Sequence, residues 1–263
     1  MINLDITINS KAYDAGQSGV LSNVLSTIDI QVEAGQFVAI VGPSGAGKST
    51  LLNMVAGLEA SEPGGIKYNG IPLADQPPCK VGYIFQQPRL MPWLTLVENL
   101  RLVVPEATDS AIDALLEEVG LDGKGALHPR QLSGGMQRRV GIARAFANTP
   151  ELLLLDEPFI SLDAPNARRL RALLENLWFQ SKATVIFVTH DLSEAIQLAD
   201  RIIFLSSSPG TVIQDINIDL PRPRREGGSE ELLLETSLLR YNPGLLEGEP
   251  EDYTFKAIAG GRV

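Results

Sequence analysis

Gly42, Pro43, Ser44, Gly45, Ala46, Gly47, Lys48 and Ser49 follow one another in the spacing G-x-x-x-x-G-K-[ST], and Thr50 extends the run. The chemistry open to such a run is the holding of a polyphosphate. Successive backbone N–H groups must point at the anion, and glycines permit the dihedrals and the close approach that this requires. A helix starting near Lys48 adds the positive end of its dipole. The Lys48 ammonium can reach the terminal phosphates, and the Ser49 hydroxyl can ligate Mg²⁺.

A second run has Leu152, Leu153, Leu154 and Leu155 leading into Asp156 and Glu157. Four apolar residues make a buried strand, and ligands of open α/β sheets bind at the C-terminal ends of strands. Asp156 is expected to hold Mg²⁺ through water. Glu157 is expected to act as the general base on an attacking water. Taken alone, the run fits a core strand ending in a solvated acidic turn equally well. The phosphate loop upstream favours the chemical reading.

Gln131-Leu132-Ser133-Gly134-Gly135-Met136-Gln137 lies between these two motifs. With it the chain resembles the ABC ATPases, whose signature has the form LSGGQ. Phe85-Gln86 is similar to the family's Q-loop, Ser161-Leu162-Asp163 to its D-loop and Thr189-His190-Asp191 to its H-switch. The motifs keep the family's order over roughly residues 1–225. The resemblance implies ATP and Mg²⁺ as cofactors. It puts Gln86 at the metal and the reacting water, Asp163 at the nucleotide and His190 at the γ-phosphate. It also implies an aromatic stacked on adenine ahead of the phosphate loop, for which Tyr13 is the candidate.

Ser133, Gly134 and Gly135 carry a physical argument of their own. A hydroxyl and exposed N–H groups at a helix N-terminus make a second anion site. The plain alternative is a helix cap. Two half-sites in one chain, read with the resemblance, imply a head-to-tail dimer. Each ATP would then lie between the phosphate loop of one subunit and Ser133–Gly135 of a second ATP-binding subunit.

Pro92-Trp93 after the Q-loop, Ser208-Pro209-Gly210, and Asp219 to Arg224 are similar to the importer branch for nitrate, sulfonates and taurine. That branch implies integral membrane permease subunits as partners and, indirectly, a substrate-binding protein. Trp93 is then a candidate contact to the permease, with simple packing as its alternative. Arg138 departs from the pattern, since glutamine is commoner there. His128 and Cys79 have no chemical context; His128 reads as a structural or surface residue and Cys79 as structural. The competing function is a soluble ABC ATPase of translation or DNA repair. Each motif occurs once, and too few residues separate Lys48 from Ser133 for a coiled-coil insert. A scaffold with a dead site is opposed by intact Lys48, Asp156, Glu157 and His190.

These residues need a frame. Residues 1–35 alternate apolar and polar, as antiparallel strands with one wet face do. Phe37 to Val41 is continuously apolar, as a strand buried on both faces is. Ser49 to Ala56 and Ser110 to Val119 read as helices. Leu152–Leu155, Thr184–Val188 and Arg201–Leu205 read as strands. Leu170, Leu173, Leu174, Leu177 and Trp178 recur at helical spacing between the first two. A weak helix is expected around Leu232 to Leu239, followed by acidic residues. The expected class is an α/β P-loop NTPase core of the ABC ATPase kind, with a mixed sheet, an N-terminal antiparallel β subdomain and a helical signature subdomain. Residues 1–225 would form the ATP-binding domain, with the helical part inserted at about 88–150. Residues 226–263 would be an extension.

Composition sets the outer limits. The chain has 263 residues, 44% of them hydrophobic, and a net charge of −10. That length buries a large core without disulfides. An acidic chain is a poor binder of nucleic acid, which demands concentrated Lys and Arg. A single cysteine suits a reducing compartment. No apolar run reaches the ~18 residues of a membrane span, and the N-terminus lacks signal-peptide features. The expectation is a soluble protein on the cytoplasmic face of the inner membrane, bound there through partners.

Overall fold

The computed structural model describes residues 1–14, 21–225 and 227–249. The chain opens with β1 (Leu4–Asp14) and β2 (Leu21–Val32), paired antiparallel with Leu4 opposite Val32 and Ile8 opposite Ile28. Leu4, Ile6, Ile8, Ile28, Ile30 and Val32 are buried. The period-two alternation therefore puts one face of the ribbon inward. β3 (Phe37–Val41), buried at every position, starts a second sheet, and α1 (Lys48–Val55) follows it. β4 (Ile66–Tyr68) and β5 (Ile71–Pro72) return to the first sheet, giving it the antiparallel order β2-β1-β4-β5.

β6 (Val81–Ile84) leads into the helical part, made of α2 (Leu96–Arg101), α3 (Asp109–Glu118) and α4 (Gly134–Ala147). Then come β7 (Leu152–Asp156), α5 (Ala164–Ser181), β8 (Thr184–Thr189), α6 (Leu192–Leu198), β9 (Arg201–Leu205), β10 (Val212–Asn217) and α7 (Ser229–Tyr241). The second sheet has the order β10-β9-β3-β8-β7-β6. Its strands run parallel except β10, so the sheet is mixed as expected.

The apolar runs are continuous because the central strands feed two cores. Val38, Ile40, Leu152, Leu154, Ile186 and Val188 face the β1–β2 ribbon and α1. Phe37, Ala39, Leu153, Leu155, Val185 and Phe187 face α4, α5 and α6. A third cluster holds the helical part together through Leu96, Leu100, Ile112, Leu116, Leu132, Val140 and Ala143. α4 belongs to two clusters at once, since its Ile142, Ala145 and Phe146 pack on the sheet.

The structure adds elements that the pattern did not announce. α2 is short, but Thr95 and Glu98 form a reciprocal capping box at its start. The weak C-terminal helix is longer than expected and docks on the body. Leu238 and Leu245, in and after α7, are buried in the same core as Phe37. Glu247 and Glu249 are exposed, whereas Glu251 and Asp252 lie outside the described residues. Arg224 is buried and donates to the carbonyls of Ile196, Ala199, Ile218 and Leu220. The Pro221–Arg225 stretch therefore fastens the chain leading to α7. Among the described residues, no helix is long and apolar enough to cross a membrane.

Candidate functional site

The parallel register aligns three strand ends. Val41 pairs with Thr189, and Asp156 with Val188. The segments that follow β3, β7 and β8 carry Gly42–Thr50, Glu157 and His190, so these groups share one edge of the sheet.

Gly45 and Gly47 have φ of +84° and +82°, the left-handed region that favours glycine. A Cβ on Gly47 would also come within 2.6 Å of Leu25 Cδ2. Gly47 caps α1 without a side chain, leaving the first-turn N–H groups for a ligand. Lys48 Nζ donates to Gly42 O at 2.7 Å and Pro43 O at 2.9 Å, and lies 3.8 Å from Glu157 Oε1. Burial lowers the pKa of its ammonium, while Glu157 and Asp156 pull the other way.

Ser49 Oγ donates to Asp156 Oδ1 at 2.8 Å. Burial raises the pKa of the Asp156 carboxyl, and the Ser49 hydrogen bond opposes that shift. A hydroxyl and a carboxylate at this spacing are hard oxygen donors, suited to Mg²⁺ completed by water and phosphate. Glu157 has a φ of +43°, unusual for a residue with a Cβ and worth about 1–3 kcal/mol of local strain. Its N–H is held by Val188 O at 3.0 Å. Its carboxylate stands between Lys48 and His190 Nδ1, the latter at 3.3 Å from Oε2. A carboxylate so placed can take a proton from a water attacking a phosphate on the loop.

Beyond Glu157, a cleft of about 300 Å³ is lined by Ser161, Leu162, His190 and Asp191, with Arg171, Thr189 and Glu194 deeper in. Sequence reasoning missed Arg171 and Glu194. Glu194 Oε2 accepts from Thr189 Oγ1 at 2.8 Å, and Oε1 lies 3.5 Å from Arg171 Nη1. Burial pushes the Glu194 carboxyl up to about 7. The pattern Asp191-x-x-Glu194 at a helix start was the available signal.

The other expected residues lie around this centre. The Tyr13 hydroxyl donates to Glu59 and lies 3.4 Å from Thr50 Oγ1, with Lys11 Nζ 5.2 Å from the ring centroid. This places Tyr13 beside the start of α1. Glu59 had no sequence signal, being far from Tyr13 along the chain. Gln86 is exposed just after β6, whose Ile84 pairs with Leu155. Ser133 caps α4, accepting from Met136 N at 3.3 Å, and Gly134 is exposed beside it. No hydrogen bond or ion pair joins Ser133–Gly135 to residues 42–50 among the described residues. Asp163 caps α5 and accepts from Asn166. Trp93 is 70% exposed, which removes the packing alternative. Cys79 is half-buried, and burial pushes its thiol up to about 11, an unreactive state. The Gly248 carbonyl accepts from Ser207 N at 3.1 Å, and a Cβ on Gly248 would lie 3.1 Å from Pro43 Cδ. The C-terminal extension thus reaches the phosphate loop.

The chain matches the model of the family described as ABC transporter over residues 25–160. It is 44% identical over 227 residues to the aliphatic sulfonates import ATP-binding protein SsuB of Bacillus licheniformis, covering 85% of this chain and 88% of that protein. It is 42% identical over 241 residues to the protein of the same name from Bacillus thuringiensis, covering 90% and 95%. It is also similar to the solved dimer of the ATP-binding cassette MJ0796 bound to ADP and Pi. That likeness has a TM-score of 0.72 and 31% identity over 83% of this chain and all of that one.

Proposed function

The chain belongs to the ABC transporter family of ATP-binding proteins, and from that premise we propose which residues do its work and what it helps to carry. It is the ATP-hydrolysing subunit of an importer, and it works as a cassette dimer with membrane permease subunits. The cargo in our reading is a small aliphatic sulfonate, supported by the 42–44% identity to aliphatic sulfonates import ATP-binding proteins. A substrate-binding protein would deliver it, and the chain would sit at the cytoplasmic face, held by the permease. Residues 1–225 would be the cassette, with its helical part at about 88–150, and 226–263 the extension.

The carrying observation is the placement of Glu157 between Lys48 and His190 at the mouth of the phosphate loop. Backbone N–H groups of Gly45–Ser49 receive the β- and γ-phosphates, with Pro43, Ser44 and Thr50 shaping the loop. Lys48 adds its charge. Ser49 and Asp156 would hold Mg²⁺, with Gln86 closing on it from the end of β6. When bound, the ion neutralises phosphate charge as the γ-phosphoryl group is transferred. Glu157 accepts the proton of the attacking water. His190 orients Glu157 and meets the γ-phosphate. Tyr13 stacks on adenine. Ser133, Gly134 and Gly135 of the partner subunit close on the γ-phosphate, with Asp163 at the seam.

A mixed dimer tests the arrangement. One subunit carries Lys48→Ala and the other Ser133→Arg. Head-to-tail sites put both lesions in one place and leave one site intact, so one nucleotide should be trapped per dimer. None trapped would overturn the head-to-tail reading. ATP-driven uptake of a labelled alkanesulfonate by proteoliposomes holding the chain and its permease tests the cargo. Uptake of nitrate alone would overturn it.

A further inference from the structure

α4 is capped by Ser133 and carries Arg138 five residues on from that cap, about 7.5 Å along the axis. The Arg138 guanidinium crosses to the loop after β7. Nη1 donates to Pro158 O at 2.6 Å, and Nη2 donates to Ile160 O at 2.5 Å. Both carbonyls belong to the segment that joins Glu157 to Asp163. Pro158 shares a peptide bond with Glu157, and Ile160 N turns back to Glu157 O at 3.3 Å. The strained backbone of Glu157 is therefore held from two directions, by Val188 O of β8 and by a fork of donors from α4. A planar guanidinium bonding two carbonyls fixes an orientation that a single donor cannot.

We propose that Arg138 is a positioning residue that ties the occupancy of one composite site to the placement of Glu157 in the other. The inference rests on the head-to-tail reading given above. In that arrangement the Ser133 end of α4 meets the nucleotide held by the partner. Arg138 on the same helix holds Glu157 of its own chain's site. α4 is one rigid helix packed in two clusters, so a shift at its N-terminus moves Arg138 as well. Pro158 and Glu157 follow. A general base misplaced by about 1 Å loses up to ~10²-fold in rate.

The test uses the full-length chain with MgATP and the variants Arg138→Met and Arg138→Lys. Methionine keeps an unbranched side chain but has no donor for either carbonyl, while lysine keeps the charge but reaches only one. Arg138→Met should lower kcat by roughly 10- to 100-fold, keep the equilibrium ATP Kd within about 2-fold, and reduce the Hill coefficient of hydrolysis to one. Arg138→Lys should recover part of the rate. Wild-type kcat and cooperativity in folded Arg138→Met would overturn the assignment. A fallen kcat with unchanged cooperativity would do so too, because it shows a purely structural role. If Arg138→Met does not fold, Arg138→Lys decides by the same criteria. Hydrolysis by the wild type with a Hill coefficient of one would also overturn this proposal, whereas the head-to-tail reading fails only if the mixed dimer traps no nucleotide.

Discussion

Ser49 and Asp156 stand 107 positions apart in the chain, yet the Ser49 hydroxyl donates to the Asp156 carboxylate at 2.8 Å. The pair spans the start of α1 and the end of β7, and the parallel sheet brings those two points together. Asp156→Asn keeps the shape and removes the charge. The Mg²⁺ concentration that half-saturates ATP hydrolysis should rise by roughly 10- to 100-fold. A Mg²⁺ titration of the purified variant checks this, and an unchanged requirement would take Asp156 out of the metal site.

Glu157→Gln and Lys48→Ala should separate turnover from binding. The amide at 157 fits the same space between Lys48 and His190 but cannot accept a proton. ATP should bind as before, and turnover should fall by at least ~10²-fold. Lys48→Ala should weaken ATP binding itself, because the ammonium that bridges Gly42 O, Pro43 O and Glu157 is lost. Near-normal hydrolysis by the first variant, or unaltered ATP affinity in the second, would contradict these roles.

Glu194 gives the fold a pH dependence. Burial raises its carboxyl from 4.5 to about 7 in the folded chain. The folded state thus binds a proton that the unfolded state releases at lower pH. This contribution to stability is full below about 4.5 and is lost as pH rises through about 7. Glu194→Gln cannot ionise. Its melting temperature relative to the wild type should climb between pH 5 and pH 8, in melts recorded across that range. A constant difference would show that Glu194 keeps its proton, or loses it, equally in both states.

Trp93 is 70% exposed, so Trp93→Ala should leave the stability of the isolated chain within about 0.5 kcal/mol. Its assembly with the permease should weaken by about 2 kcal/mol or more if the ring fills a pocket there. Thermal melting and a binding titration with detergent-solubilised permease report the two quantities separately. Unchanged assembly would leave Trp93 without a role at that interface.

The amino-acid sequence by itself determined the features whose physics is local. The phosphate loop is legible because its demands fall on contiguous residues: glycines where φ is positive, a lysine, and a hydroxyl at a helix start. The β1–β2 ribbon and the central strands are legible because burial on one face or two leaves a period of two or an unbroken apolar run. Contacts that join distant residues were decided by the tertiary structure. Tyr13 meets Glu59, Arg171 meets Glu194, and Arg138 grips Pro158 and Ile160. No spacing encodes these contacts, because each depends on sheet register and on how the helices pack over the strands. The docking of α7 through Leu238 and the exposure of Trp93 belong to the same class. A leucine in a weak helix or a lone aromatic in a turn carries no periodicity that says which way it faces. Only the completed core, by filling or leaving space, decides that.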